Sequence, residues 1–329
     1  MTTILVTGGA GYIGSHVGRQ LGERGEKLVT LDNLSTGYRG AVLHGEFVAG
    51  DTGDAELVTN LLKTHSVDTV MHFAAHISVP ESVEKPLKYY RNNTANTRTL
   101  LECCIAAGVK HFVFSSTAAV YGIPASGVAT EDTPTEPINP YGRSKLMSEA
   151  MLRDVAAVTP LRYVALRYFN VAGADPGGRI GQSTPEATHL IKVACEHVVG
   201  RRKQIAIFGT DYDTPDGTCV RDYIHVEDLA SAHLQALDYL RGGGASATLN
   251  CGYGQGFSVR DVLDEVARVS GSKLSITESG RRAGDPPQLI AAAGQIRKTL
   301  GWTPRHQDLA GIVATALAWE KRLLRQPMA

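Results

Sequence analysis

Apolar and polar positions follow two alternating periods along the first half of the chain. Residues 4–7 (ILVT) form a short β-branched run. It leads through a glycine cluster into helical spacing that reaches about Arg24 and is closed by Gly25, and 27–32 (KLVTLD) reads as the next strand. Strand, loop, helix and strand within roughly thirty residues is the repeating unit of a parallel sheet. The alternation continues with strands at 46–49, 69–73 (TVMHF), 111–116 (HFVFSS) and 163–169, and helices at 55–65, within 83–107 and at 141–158. These strands are apolar at nearly every position, as strands covered on both faces are. The pattern predicts an α/β fold whose residues 1–172 form a Rossmann-like, doubly wound parallel sheet.

After about Ala172 the texture changes. Loops rich in Gly, Pro and Asp at 174–185, 209–218 and 280–287 separate shorter elements, and helical periodicity recurs at 226–240, 258–269 and 308–324. Residues 173–329 are expected to form mainly a smaller C-terminal α/β domain for the substrate, with some segments returning to the first domain. A chain of 329 residues is longer than one core usually holds, which suits that division.

Composition narrows the partners. Lys+Arg and Asp+Glu both total 33, so the basic excess of a non-specific nucleic-acid or anionic-membrane binder is missing. Any bound anion must be held locally. Cys103, Cys104, Cys195, Cys219 and Cys251 form no C-x-x-C pair and read as reduced thiols of a cytoplasmic protein. The strand-like run at Ile4 follows no signal-like segment, and no apolar run is long enough to span a bilayer. No spacing of His, Asp and Glu suggests a metal.

Gly8, Gly11 and Gly14 stand between the first strand and the first helix. A tight turn needs glycine there, and so does a backbone that must approach a pyrophosphate; the helix behind it offers unpaired N–H groups to phosphate oxygens. A glycine turn alone would be weak evidence. Asp32 answers it at the end of the second strand, where a carboxylate bonds the adenosine ribose hydroxyls and repels a 2′-phosphate. The expected cofactor is therefore NAD and not NADP.

The stretch Asn139-Pro-Tyr-Gly-Arg-Ser-Lys145 carries the candidate chemistry. Tyr141 and Lys145 are four residues apart and share one face of a helix that Pro140 is suited to start. A free phenol has a pKa near 10. A nearby ammonium and a cationic nicotinamide ring would favour phenolate, making Tyr141 an acid or base for a sugar hydroxyl. Taken alone, the pair would be read as a half-buried Tyr and a solvated Lys.

Gly8 to Gly14, Asp32, the run FSSTAAVYG at 114–122 and Tyr141-x-x-x-Lys145 together resemble the extended short-chain dehydrogenase/reductases. The resemblance places the third catalytic hydroxyl at Thr117, where epimerases commonly carry Ser; Thr donates the same hydrogen bond from a stiffer rotamer. HFAAHISVPES (72–82), RYFNVAGA (167–174), GTCVRDYIHVEDLA (217–230) and RRAGDPP (281–287) are similar to the UDP-glucose (UDP-galactose) 4-epimerase branch of that family, in order and over nearly the whole chain. That branch implies reversible oxidation at the sugar C4 with NAD retained, a 4-keto intermediate that turns in the pocket, and hydride return to its other face.

The resemblance also implies site residues. For the cofactor these are Gly8, Gly11, Tyr12, Ile13 and Gly14; Asp32 and Asn33; Asp51 and Thr52 near adenine; Phe73, Ala74, Ala75 and Asn92; and Ser115, Tyr141, Lys145 and Tyr168 toward the nicotinamide. For the UDP-sugar they are Thr117, Tyr141, Asn170, His189, Leu190, Phe208 near uracil, Tyr223, Asp285 for the ribose, and Arg221 and Arg282 as the diphosphate clamp. Plain core packing explains several apolar members equally well. Two positions depart from the pattern. Ile77 stands where some epimerases carry a lysine near the cofactor phosphates, and Leu289 stands where others carry a tyrosine that crowds the sugar, so an N-acetyl group is expected to be admitted.

Other classes fit less well. A 4,6-dehydratase needs an acid beside the active hydroxyl, and Thr117 is followed by Ala118 and Ala119. A net dehydrogenase must release NADH, and an NAD sensor has no need of the Thr/Tyr/Lys set. Epimerisation of UDP-N-acetylglucosamine or of UDP-xylose stays open as an alternative. By resemblance the chain forms a homodimer through helices in 83–107 and 141–158.

Overall fold

The computed structural model describes residues 2–185, 187–282 and 284–326. The alternation read from the sequence is present. Strand β1 (Thr3–Thr7) feeds helix α1 (Tyr12–Glu23), followed by β2 (Lys27–Asp32), β3 (Glu46–Ala49), α2 (Ala55–Thr64) and β4 (Val67–His72). The helix expected within 83–107 is not continuous. It is divided into α3 (Val79–Glu84), α4 (Pro86–Tyr89), a π-helical turn (Tyr90–Ala95) and α5 (Asn96–Ala107). Lys85, at φ −130° and ψ 60°, breaks the first junction, where Pro86 cannot donate a backbone hydrogen bond. Then come β5 (His111–Thr117), the two-residue β6 (Val128–Ala129), α6 (Pro140–Val158) and β7 (Arg162–Tyr168).

The remaining elements are β8 (Asn170–Ala172), α7 (Leu190–Val198), β9 (Ile205–Phe208), β10 (Val220–His225), α8 (Val226–Arg241), β11 (Ala247–Cys251), β12 (Gly256–Ser258), α9 (Val259–Ser270), β13 (Ile276–Ser279), β14 (Gln288–Ala291), α10 (Gly294–Leu300) and α11 (Leu309–Arg325). Seven strands form one parallel sheet in the order β11-β7-β5-β4-β1-β2-β3. The order reverses at β1, between β2 and β4, and the carboxyl ends of these strands there face a ligand crevice. β11 lies at the edge of this sheet, parallel to β7, so residues 247–251 return to the first domain.

Successive residues of β1 serve opposite faces. Ile4 and Val6 pack with Val17 and Leu21 of α1 and with Leu229 and Leu237 of α8. Leu5 packs with Val58 and Leu62 of α2, Leu100 of α5 and Leu152 of α6. Both faces are thus covered, which is why the strands carry no polar alternation. A second sheet, β12-β10-β14-β6 with β8 beside β10, and the pair β13-β9 build the smaller region. It faces the carboxyl ends of β5 and β7 across a cleft.

Candidate active site

The glycine loop is shaped by contact as well as by backbone freedom. Gly8 sits at φ +71°, and a Cβ on it would lie 2.5 Å from the Ala74 nitrogen. A Cβ on Gly14 would lie 2.4 Å from the Gly8 carbonyl oxygen. The loop is therefore folded tightly on itself and against the segment after β4, leaving the start of α1 open. No side chain caps α1 and its first turn holds no acid, so its leading N–H groups suit an anion.

Asp32 closes the adenosine end. Its carboxylate accepts from the backbone N–H of Ala10 (2.9 Å) and of Leu34 (2.8 Å). Burial pushes its pKa up, and these two bonds hold it down. Asn33 donates to Asp51 (3.0 Å), which also accepts from Asn96 (2.7 Å) and from the Gly53 N–H (2.8 Å). Tyr12 reaches across the cleft mouth and donates to the Gly173 carbonyl (2.6 Å).

The other end is built at β5, β7 and the start of α6. Asn139 caps α6 by accepting from the Gly142 N–H (2.9 Å), and Pro140 takes the first helical position. Gly142 has a separate reason: a Cβ there would lie 2.5 Å from the Ala119 carbonyl oxygen. The helix end can therefore press against the turn just after Thr117, which brings the Tyr141 phenol beside the Thr117 hydroxyl. One turn on, Lys145 donates to the Ser115 carbonyl (2.8 Å) and lies 4.9 Å above the Phe114 ring. Ser115 and Tyr168 share a hydrogen bond between their hydroxyls.

The expectation that a nearby ammonium and a cationic nicotinamide ring favour phenolate meets a counterweight in the protein itself. Burial pushes the Tyr141 pKa above its ordinary value, and the Thr117 hydroxyl beside it pulls the other way. Burial also brings Lys145 down to about 7, against the pull of Glu149. Both groups are desolvated, so the phenolate of Tyr141 is disfavoured and the ammonium of Lys145 is weakened by the same burial.

On the opposite wall, Asn170 and Tyr223 pair in register across β8 and β10, and Arg221 pairs with Leu289 across β10 and β14. The Arg221 guanidinium donates to the Val220 carbonyl (2.9 Å) and lies 3.9 Å from Asp285. The Arg282 guanidinium covers the Phe208 ring at 3.6 Å. His189, just before α7, is hydrogen-bonded to Gln182 (2.9 Å) and Leu190 opens that helix.

These parts share one cleft of ≈ 1040 Å³. Of the residues expected at the site, Gly8, Gly11, Tyr12, Ile13, Gly14, Asp32, Asn33, Asp51, Thr52, Phe73, Ala74, Ala75, Asn92, Ser115, Thr117, Tyr141 and Tyr168 line it on the first-domain side, and Asn170, His189, Leu190, Phe208, Arg221, Tyr223, Arg282 and Asp285 on the other. Lys145 alone lies behind the wall, 2% exposed. Ile77 and Leu289 line the cleft as well. Sequence reading missed His76 and Lys88, which line it, and Asn93, Glu149 and Gly142, which support it. For Gly142 the signal was there in Asn-Pro-Tyr-Gly, a cap, a first-turn proline and a residue without a side chain. Among the described residues no group of three or more His, Cys, Asp or Glu could hold a metal, and no helix is long and apolar enough to cross a membrane.

The sequence matches the NAD dependent epimerase/dehydratase family over residues 4–252. It is 61% identical over 321 residues to a UDP-glucose 4-epimerase of Azospirillum brasilense, spanning 97% of this chain and 92% of that protein. The crystal structure of UDP-glucose 4-epimerase from Brucella ovis in complex with NAD matches with a TM-score of 0.94 at 44% identity, covering 96% of this chain and 98% of that one. UDP-glucose 4-epimerase from Bifidobacterium longum, in complex with NAD+ and UDP, matches at 0.93 and 36% identity, covering 98% of each chain. A glycine loop answered by Asp32, a Thr/Tyr/Lys set at the sheet's carboxyl edge and these full-length matches lead to one assignment: the chain belongs to the NAD dependent epimerase/dehydratase family, on its UDP-glucose 4-epimerase branch.

Proposed function

We propose that this chain interconverts UDP-galactose and UDP-glucose by epimerisation at C4, with NAD kept bound throughout. The observation that carries the reading is that Thr117 and Tyr141 line a cleft with the glycine loop and Asp32 on one wall and Arg221, Arg282 and Asp285 on the other. One wall suits a dinucleotide and the other a nucleoside diphosphate, and the proton-handling hydroxyls lie in the same space.

The residues fit NAD. The close approach at Gly8 and Gly14 leaves the uncapped start of α1 free for a pyrophosphate, and Asp32 presents a carboxylate to ribose hydroxyls. Bound NAD would supply the hydride acceptor for C4 and return the hydride to the 4-keto sugar, with no net redox change. The chain's own work is proton transfer and positioning. Tyr141 takes the O4 proton and gives it back, and Thr117 orients the hydroxyl. Burial favours the neutral phenol of Tyr141, and the positive charge that an oxidised nicotinamide would bring would favour its phenolate. Lys145, tied to the Ser115 carbonyl behind the cleft wall, would support the nicotinamide side from there.

On the other wall, Arg221 and Arg282 bind the diphosphate through charge-assisted hydrogen bonds, with Asn170, His189, Leu190 and Tyr223 beside it. Asp285 holds the UDP ribose, and Phe208 packs on uracil. Anchoring at the nucleotide leaves the hexose free to turn between two faces.

Incubation with UDP-galactose and no added NAD, followed by NMR, tests this. The expected result is conversion to a fixed mixture with UDP-glucose and no NADH release. No conversion, or NADH released in proportion to substrate, would overturn it. Tyr141→Phe is expected to lose most turnover while keeping NAD. A parallel incubation with UDP-N-acetylglucosamine asks whether the cleft beside Leu289 admits an N-acetyl group; absence of turnover would count against it.

We read the assembly as a homodimer. Leu87, Met147 and Val158 on α4 and α6 are large apolar side chains, 79%, 47% and 83% exposed, on the helices expected to pair. Sedimentation equilibrium should give twice the chain mass, and a monomer would refute it.

A further inference from the structure

Tyr12 belongs to one wall of the cleft by its backbone and to the other by its side chain. It is the first residue of α1, at the uncapped end that follows the glycine loop. Its hydroxyl leaves that wall and donates to the Gly173 carbonyl at 2.6 Å. Both residues line the cleft.

Each end of this hydrogen bond is held from behind. The Tyr12 carbonyl accepts from the His16 ring (2.8 Å) and from the Ser15 hydroxyl (3.0 Å), and the His16 ring meets the Tyr12 ring edge-on at 5.5 Å. Gly173 lies at φ +89°, and a Cβ on it would lie 2.7 Å from Cδ2 and Nε2 of His225, so its turn rests directly on that ring. His225 accepts through Nδ1 from the Glu227 N–H (3.1 Å), which leaves its Nε2–H for the Thr315 hydroxyl (3.0 Å). The ring is also stacked on His306 at 4.6 Å. The Gly173 carbonyl is therefore aimed at Tyr12 from a fixed seat.

That seat is part of the nucleotide wall. Gly173 follows β8, whose Asn170, Val171 and Ala172 pair in register with Tyr223, Ile224 and His225 of β10, the strand that carries Arg221. Resting on the reading of the cleft as an NAD and UDP-sugar site, we propose that the Tyr12 hydroxyl is a latch between the two walls, through which a bound UDP-sugar slows the release of NAD. A UDP-sugar with its diphosphate on Arg221 and its hexose at Thr117 spans the cleft and holds the walls at the separation where the latch closes. The start of α1 then cannot part from the turn after β8 until that bond breaks. Tyr12 acts here as a positioning residue. The coupling is reciprocal, so bound NAD tightens UDP-sugar binding by the same factor.

The experiment uses the NAD-loaded protein and follows NAD release into cofactor-free buffer, with and without saturating UDP-glucose. Tyr12→Phe removes the hydroxyl and keeps the ring against His16. UDP-glucose is expected to slow release from wild type. With UDP-glucose present, Tyr12→Phe should release NAD about three- to tenfold faster than wild type, the worth of one hydrogen bond, and the slowing that UDP-glucose causes should shrink. A phenol that only stiffens the start of α1 would speed release equally with and without UDP-glucose, leaving the slowing factor intact, and that result would overturn the latch. So would wild-type release that ignores UDP-glucose, or a variant that matches wild type. Calorimetry on wild type needs no variant: UDP-glucose should bind more tightly to the NAD-loaded chain than to the NAD-free chain, and equal affinities would also overturn the proposal. A wild-type chain that neither holds NAD nor converts UDP-galactose would overturn the reading of the cleft itself.

Discussion

The side chain of Asn93 closes both backbone hydrogen bonds of His76. The His76 N–H donates to the Asn93 carboxamide oxygen at 2.9 Å, and the Asn93 amide donates to the His76 carbonyl at 2.9 Å. The same amide donates to the Ser144 hydroxyl at 3.0 Å, and that hydroxyl donates to the Tyr141 carbonyl at 2.7 Å. One buried residue in a π-helical turn therefore links the wall after β4 to the helix that carries the phenol. Such turns recur at functional sites because they put an extra residue inward.

Asn93→Asp keeps the shape and the acceptor but removes both amide donors. The His76 carbonyl and the Ser144 hydroxyl lose a donor, and a buried carboxylate is added. The expected cost is about 1–3 kcal/mol of stability per unsatisfied group, read from urea unfolding. NAD content after purification should fall with it. Full stability with full NAD content would show that the link holds nothing in place.

Gly142→Ala tests the approach of α6 to β5. The new methyl would lie 2.5 Å from the Ala119 carbonyl oxygen, a backbone atom that cannot turn aside. The helix start must back away from Thr117. Displacement of reacting groups by about an ångström costs roughly a hundredfold in rate. Turnover should therefore drop by about that factor while NAD remains bound, since the glycine loop is untouched. Wild-type turnover would mean that the contact does not set the Thr117–Tyr141 geometry.

What could be read from the sequence, and what could not, divides by distance along the chain. The glycine loop, Asp32 and the Tyr141/Lys145 pair each express a spacing within one element or one βαβ unit, and the structure brings the loop, Asp32 and Tyr141 into one cleft with Lys145 behind its wall. That some later segment returns to the first domain was expected, but that it is β11 could not be read, because a strand's neighbour is chosen by non-local pairing, here with β7. The breaks in the 83–107 helix were hidden for another reason. Its apolar periodicity survives the break at Lys85 and the π-helical turn, so spacing alone joins α3, α4 and α5. His76, Lys88 and Asn93 depend on those breaks and were missed with them.

Lys145 predicts a pH effect on stability. Its folded pKa is about 7 and its ordinary value is 10.5. Between these values the unfolded chain binds the proton and the folded chain does not, so this residue makes stability rise with pH. Below about 7 both states are protonated, and the full cost of the buried ammonium is present. Lys145→Met should therefore stabilise the NAD-free protein most at acid and neutral pH, with the advantage shrinking toward pH 10. Urea midpoints of variant and wild type across that range give the difference directly, and other titrating groups cancel in it. An advantage independent of pH would show that Lys145 is not desolvated.

Glu149 is the buried support beneath both reacting groups. Its carboxylate accepts from the Ser116 hydroxyl and from Arg167 at 3.0 and 2.6 Å. Ser116 precedes Thr117, and Arg167 precedes Tyr168. Because side chains alternate along a strand, the pair grips the far face of β5 and β7 while Thr117 and Tyr168 face the cleft. Arg167 continues to the Tyr121 hydroxyl (2.9 Å), and Tyr121 donates to Asn250 of β11 (2.7 Å). Glu149→Gln leaves the Arg167 charge buried without its partner, and breaking a buried pair costs roughly 3–5 kcal/mol. Pairing the variant with Arg167→Met removes the stranded charge, so the double variant should regain most of that stability. Turnover should not return with it, since the charge-assisted bond from Ser116 is lost in both and a neutral carboxamide oxygen holds that hydroxyl more weakly. If the double variant recovers turnover in step with stability, the network is a folding support only and the alignment of Thr117 does not depend on it.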